Sequence, residues 1–229
     1  GDYHLIVLAP ASVQEMADFV GLGFDLAFKY RTPAMILADG IVGQMMEKVV
    51  LPPARPRRTP EQIAEQCPWA VTGRPATRRP NVITTLELDS AMMEKHNERY
   101  QQTYRLIEQN EVRYDEYMTS DAEYLIVAFG SIARICQKSI EDARSRGIKV
   151  GLIRPITLWP FPTEAIRQLS RRVKGVMVVE LNAGQMIEDV RIAVEGRVPV
   201  CHFGRMGGIV PNPQEVLDSF IADFPDSRH

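Results

Sequence analysis

Short runs of consecutive apolar residues alternate along this chain with stretches whose apolar residues return every three or four positions. These are the patterns of buried strands and of helices with one buried face. Residues 4 to 9, HLIVLA, predict the first strand. Ser12-Val13-Gln14-Glu15 then has the spacing of a capping box, in which a serine hydroxyl and a glutamate carboxylate satisfy the free amides of a helix start. The helix is expected to reach about Tyr30, with Val13, Met16, Val20, Phe24 and Ala27 on its buried face. Pro33 punctuates, and AMILAD reads as a second strand. Strand, helix and strand of this kind predict a right-handed parallel crossover. Two strands and a helix do not close a core, so this unit is expected to need missing or partner structure. Gly1-Asp2-Tyr3 runs at once into the first strand, which predicts a chain that starts in the middle of a domain.

The pattern then changes. Leu51 to Pro80 holds seven of the sixteen prolines, and six arginines against two glutamates. Proline opposes helix and sheet, so a linker or extended arm is expected. Its arginines suit either a solvated linker or docking on an acidic subunit surface. Trp69 suggests one anchored point, because a large aromatic gains little in water. From about Asp89 to Tyr117 a long polar helix is predicted, with Met93, Tyr100, Ile107 and Tyr114 forming a narrow seam. His96 beside that seam reads as a surface or packing residue.

Regular alternation returns at Ala122. EYLIVAF, IKVGLIR, VKGVMVVEL and VPVCHFG read as strands. Helices are expected to follow at Ser131 to Arg146, at Thr163 to Arg172, over AGQMIEDVRIAVEG, and over PQEVLDSFIADF with a cap near Asn212. Apolar strands alternating with helices predict an α/β domain, a doubly wound parallel sheet covered on both faces. The organisation expected is residues 1–50, part of one domain; 51–88, a Pro/Arg-rich linker; 89–118, a connecting helix; and 119–229, the α/β domain.

Composition narrows the classes. Of 229 residues 45% are apolar and 24% charged, with a net charge of −2. That is ordinary for a globular protein and lacks the basic excess of a general nucleic-acid binder. No apolar run approaches the ~20 residues that span a bilayer, and no signal-peptide pattern opens the chain, so a cytoplasmic protein is expected. Cys67, Cys136 and Cys201 form no C-x-x-C pair that would hold zinc or an iron–sulfur cluster. Three reduced, mostly buried thiols are expected.

Ligands of such sheets bind at the carboxyl ends of the strands. Gly130 and Ser131 end one strand and open a helix, where free amides and the helix dipole attract an anion; Ser131 also suits an ordinary N-cap. Arg154 can clamp a carboxylate or phosphate, and can equally pair with Glu180 or cap a helix end. Asn182 and Gln185 flank a strand-to-helix turn, where turn formation and partner contact are both open. Gly130, Ser131, Arg154, Asn182 and Gln185 are therefore the candidate anion or interface contacts. Glu180 is a lone carboxylate, and His202 lies inside a strand as a packing residue. The chain contains no G-x-G-x-x-G and no G-x-x-x-x-G-K-[ST]. No nucleophile–base set, cofactor-binding set or metal cluster is legible. The stretch RPITLWPFP, Arg154 to Pro162, reads as a rigid joint between strand and helix, with Thr163 as the next N-cap and Trp159 packed against the domain or a partner.

KYRTPAMILADGIVGQMMEKV, MMEKHNERYQQTYRLIEQNEVRYDEY, VAFGSIAR, LIRPITLWPFP and VVELNAGQM follow one another in order. Together they resemble the alpha-type subunit of 2-oxoacid:ferredoxin oxidoreductases, nearest to the branched-chain type acting on 2-oxoisovalerate (3-methyl-2-oxobutanoate). The resemblance implies the end of a pyrimidine-type thiamine diphosphate domain at 1–50 and a transketolase C-terminal-like domain at 119–229. It implies oxidative decarboxylation of a 2-oxoacid with coenzyme A, giving acyl-CoA, CO2 and reduced ferredoxin. The family segments implicated in 2-oxoacid recognition would lie before Gly1, so this stretch alone is expected to be inactive. Thiamine diphosphate and Mg would sit at an interface with a beta subunit, and iron–sulfur clusters on partner subunits; beta, gamma and ferredoxin-like delta subunits are the implied partners. Ferredoxin is the implied acceptor of this hetero-oligomer, with no nucleic-acid or membrane partner. A 2-oxoglutarate-specific subunit, or a non-catalytic α/β interaction module of the same fold, are the alternatives.

Overall fold

The computed structural model describes residues 2–71, 73, 76 and 79–228. Arg74, Pro75 and Arg78 of the arginine- and proline-rich stretch lie outside the described residues. The chain divides into two compact units, residues 1–50 with 103–229, and residues 51–102.

The first unit is built on two sheets. In the smaller, β1 (Ile6–Leu8) pairs in parallel with β2 (Ala34–Ile36), joined by α1 (Val13–Tyr30), as the pattern predicts. Its third strand is unexpected. β6 (Thr157–Trp159), from the middle of RPITLWPFP, pairs antiparallel with β1. The preceding strand β5 (Val150–Pro155) belongs to the other sheet. Ile156 alone makes the transfer: its N–H donates to Arg113 O at 2.9 Å, and its carbonyl accepts from Ala9 N at 2.7 Å. The supposed joint between strand and helix is thus a strand that ties two sheets together. Part of the structure that residues 1–50 were expected to need thus comes from the same chain.

The larger sheet has the order β3-β5-β4-β7-β8. β4 (Tyr124–Val127), β5, β7 (Val176–Glu180) and β8 (Val200–Gly204) are mutually parallel. α5 (Ser131–Ser145) and α8 (Pro213–Asp223) cover one face around Ile140, Met177 and Phe220. α6 (Thr163–Ser170) and α7 (Met186–Val194) cover the other around Ile166, Val178 and Val190. Burial on both faces accounts for strands that read as unbroken apolar runs. Asn212 caps α8 with a full capping box to Glu215. Thr163 is not a cap: α6 starts there, after Pro162, with no side-chain cap bond.

Three local expectations are corrected. The long helix α4 (Ser90–Asn110) stops short of Tyr117, and Tyr114–Tyr117 forms β3, antiparallel to β5. Tyr104 and Ile107 are its buried residues, whereas Tyr114 is an exposed strand residue. Just past the helix end stands Glu111, whose buried carboxylate accepts from Lys29 Nζ at 2.6 Å, Tyr30 OH at 2.7 Å and Arg113 at 3.0 Å. Next, α1 buries Phe19, Gly23 and Leu26, and leaves Val20 and Phe24 exposed, Phe24 at 65%. α1 is apolar on more than one side. Gly23, where an added Cβ would sit 3.8 Å from Ala34 Cβ, lies against β2 and marks the side that meets the sheet. Finally, only half of the first capping box forms: Ser12 Oγ accepts from Glu15 N at 3.2 Å, but the Glu15 carboxylate turns to Ala11 N and to Arg154.

Burial of Glu111 would raise its pKa, but the hydrogen bonds from Lys29, Tyr30 and Arg113 outweigh that and hold it below the ordinary carboxylate value. Its contribution to stability is then complete above the unfolded-state pKa of about 4.3 and lost as pH falls through the lower folded value. Glu111→Gln is expected to destabilise the chain near neutral pH, with the difference fading in acid. Chemical denaturation across a pH series measures this, and a constant offset at every pH would contradict it.

The second unit holds more order than its prolines suggest. α3 (Pro60–Gln66) begins on a capping box between Thr59 and Gln62, with Pro60 in the first turn, where its missing N–H costs nothing. Trp69 is half-buried and Cys67 buried. All three cysteines are free thiols, Cys201 only partly buried, and burial pushes the Cys136 pKa up.

Candidate functional site

Within the first unit, side chains from the carboxyl ends of the two sheets meet. Asp39 follows β2 and caps α2 (Gly40–Gln44): its Oδ1 accepts from Ile41 N at 3.0 Å and Val42 N at 2.9 Å. Its other oxygen accepts from Ser131 N at 2.8 Å, at the start of α5. One carboxylate therefore serves two helix N-termini, where the dipole favours negative charge. Gly130 makes this approach possible. It has φ 67° and ψ −152°, and an added Cβ would lie 2.7 Å from Asp39 Oδ2. Gly130, not Ser131, is the N-cap residue of α5. Ser131 Oγ is buried and meets no hydrogen-bond partner among the described residues.

Arg154, at the end of β5, is buried and faces two carboxylates. It donates to both oxygens of Glu15 at 2.8 and 2.7 Å and pairs with Asp115 of β3. Burial would lower its pKa, but the two carboxylates overcome that and raise it. The alternative partner weighed for Arg154, Glu180, is elsewhere. A third bridge links Arg134 of α5 to Glu47 at 2.8 Å, while the same carboxylate accepts from Val13 N at 3.1 Å. Gln14 and Val50 exchange two hydrogen bonds, of 3.0 and 2.8 Å, so residues 39–50 lie across the starts of α1 and α5.

Glu180 ends β7 and is 1% exposed. It accepts from the backbone of Gln185 at 3.2 Å, Met186 at 2.9 Å and Ile187 at 3.1 Å, so it fills the start of α7. His202 Nε2 lies 3.6 Å from the same carboxylate. Asn182 Oδ1 accepts from Gly184 N at 2.7 Å, closing the turn, and Gln185 is the exposed N-cap residue of α7. The five candidate residues thus do not converge. Gly130, Ser131 and Arg154 belong to the seam between the sheets, and Asn182 and Gln185 to a separate turn.

At three of the candidate positions a carboxylate of the same chain is present: Asp39 at α5, Glu15 and Asp115 at Arg154, Glu180 at α7. Asp39 and Asp115 were not legible as candidates in the sequence, and Glu15 was legible only as a capping-box residue. Of the first two, Asp39 left a usable signal, an aspartate between a strand and a glycine, as helix caps often show. Among the described residues no three His, Cys, Asp or Glu side chains converge as a metal ion would require. No described helix is long and apolar enough to cross a membrane.

Two family models match the chain: the thiamine diphosphate-binding domain of pyruvate flavodoxin/ferredoxin oxidoreductases over residues 1–117, and core domain II of pyruvate:ferredoxin oxidoreductase over 122–216. The ketoisovalerate oxidoreductase subunit VorB of Methanothermobacter marburgensis is 44% identical over 95% of this chain and 60% of its own length. The 2-oxoglutarate synthase subunit KorA of Methanocaldococcus jannaschii is 33% identical over 94% of this chain and 63% of its own length. The chain therefore spans about three-fifths of the curated relatives it matches. The solved 2-oxoglutarate:ferredoxin oxidoreductase from Magnetococcus marinus, with 2-oxoglutarate, coenzyme A and succinyl-CoA bound, shares the fold. It superposes with a TM-score of 0.74 at 18% identity, covering 100% of this chain and 43% of the other.

Proposed function

Because this chain belongs to the 2-oxoacid:ferredoxin oxidoreductase family, we propose that it is part of a subunit that oxidatively decarboxylates a branched-chain 2-oxoacid. The reaction joins the acyl group to coenzyme A, releases CO2 and passes two electrons to ferredoxin. The observation that carries the substrate class is the 44% identity to a ketoisovalerate oxidoreductase subunit, against 33% to a 2-oxoglutarate synthase subunit over a similar span.

Thiamine diphosphate would supply the nucleophile and the electron sink that this reaction needs. The candidate positions at the ends of the sheets do not fit its charged end. A diphosphate needs free backbone amides or cations, and those at α2, α5 and α7 and at Arg154 already serve carboxylates. No described metal-ligand cluster would hold Mg. In this reading the diphosphate and metal rest on a beta subunit, and the iron–sulfur clusters on further partner subunits. The role left to this stretch is positioning. Asp39 and Arg154 hold two sheets in one relative setting, so that a partner meets a preformed surface.

The test uses the complete subunit co-expressed with its partner subunits. Coenzyme A-dependent reduction of ferredoxin is expected with 3-methyl-2-oxobutanoate, with kcat/KM at least about tenfold above that for 2-oxoglutarate, a margin of about 1.4 kcal/mol. A preference for 2-oxoglutarate would overturn the substrate class. No turnover of any 2-oxoacid would overturn the activity.

A further inference from the structure

The Glu180 carboxylate is wholly buried, and it alone opens α7 through the amides of Gln185, Met186 and Ile187. Gln185, the N-cap residue of that helix, makes no side-chain cap bond. A buried carboxylate is costly unless donors or a cation meet it. Among the described residues, the basic side chain that reaches Glu180 is His202, on the neighbouring strand β8. Its Nε2 lies 3.6 Å from Glu180 Oε1, is buried, and has no hydrogen-bond partner among the described residues. The rest of the ring is not sealed in, since the His202 side chain is 24% exposed.

The ring fits there because position 204 is a glycine. An added Cβ at Gly204 would lie 2.5 Å from His202 Cε1 and 3.1 Å from Nε2. Gly184 flanks the same ring edge, where an added Cβ would lie 3.5 Å from Nε2. The charges around the pair are chiefly negative. On α7, burial and then the charges of Glu188 and Glu180 raise the pKa of Asp189. Arg205, just after β8, is engaged by Glu215 of α8. Asp223 of α8 acts on Cys201, which alternates to the other face of β8.

We propose that His202 is a proton-operated latch, which on becoming imidazolium closes onto Glu180 and fastens the start of α7 to the edge strand β8. A neutral imidazole carries one N–H, which either ring nitrogen can hold, whereas imidazolium carries both. Nε2 must then donate, and a charged donor facing a carboxylate makes a shorter and stronger bond. A movement of under about 1 Å brings Nε2 into hydrogen-bond range. The pairing exists only with the charged ring. It therefore adds stability in acid and is lost as the ring deprotonates, within the range of about pH 5 to 8 where an imidazole titrates. The latch is a property of this chain's own fold and stands apart from the substrate proposed above.

The amides of Gln185, Met186 and Ile187 report the latch directly, because Glu180 accepts from them. Hydrogen exchange of the complete subunit, read by mass spectrometry at about pH 5.5 and about pH 8, brackets the titration of an imidazole. Each rate is divided by the intrinsic chemical rate at that pH and compared with the amides of α5, which removes any change in global stability. Protection at the start of α7 is expected to be about five- to tenfold greater at the lower pH. His202→Gln keeps a neutral donor of similar reach and should make protection equal at the two pH values. Glu180→Gln should also abolish the difference, whereas Asp189→Asn should retain it. The wild-type comparison decides by itself whether the start of α7 responds to a proton, and equal protection there would overturn the latch. A difference that survives in His202→Gln, or one that disappears in Asp189→Asn, would overturn it too, since the proton would then act at another group.

Discussion

Arg154→Ala is expected to destabilise the first unit by about 3 kcal/mol, because removing one partner of a buried ion pair leaves the other charges uncompensated. Three strands or helices depend on this side chain at once: β5 carries it, α1 supplies Glu15, and β3 supplies Asp115. Glu15 and Asp115 keep some contact with water, at 27% and 60% exposure, so the loss should fall at the lower end of the range for buried pairs. Arg154→Lys separates charge from geometry. A single ammonium cannot reproduce the forked contact with both Glu15 oxygens, so lysine should recover only part of the loss. Urea unfolding of the complete subunit measures both variants. A cost below about 1 kcal/mol for Arg154→Ala, the size of an exposed pair, would show that this network does not hold the layers together.

Gly130→Ala should have a comparable effect for a different reason. At φ 67° and ψ −152° the backbone is in a region that essentially only glycine occupies. The new methyl would also lie 2.7 Å from the Asp39 carboxylate and 3.9 Å from Pro10 O. Strain and overcrowding together predict a loss of about 2–5 kcal/mol. Asp39→Ala alone removes a cap shared by two helices, and should cost about 1–2 kcal/mol. In the double variant the carboxylate that obstructs the methyl is gone, while the backbone strain remains. Its cost should therefore be less than the two single losses combined. Simple additivity in denaturant titrations would mean that Gly130 and Asp39 act independently, against the geometry.

Both predictions concern contacts that link distant parts of the chain, and this is where reading the sequence met its limit. Arg154 was visible as an arginine at a strand end, yet its partner Glu15 lies 139 positions away. Glu15 was itself legible, but as half of a capping box, because local spacing describes only what a residue can reach within its own turn. β6 was hidden by three prolines in nine residues, which mark a connection unless an edge position beside β1 is available. The buried side of α1 was misassigned since apolar residues lie on more than one side of it, and periodicity alone cannot choose between them.

By itself the sequence determined the alternation of strands and helices after Ala122, the parallel pairing of the first two strands, and the helix starts at Ser12 and Asn212. It also held the ordered motifs through which the family was legible. Each of these depends on residues a few positions apart, or on a run of residues read in order. The tertiary structure alone decided that Ile156 passes the chain between sheets, that Asp39 serves two helices, and that Arg154 is held by Glu15 and Asp115. Those pairings are chosen by which surfaces meet once the layers pack. A buried charge then takes whichever opposite charge packing brings within hydrogen-bond distance, wherever that residue stands in the chain.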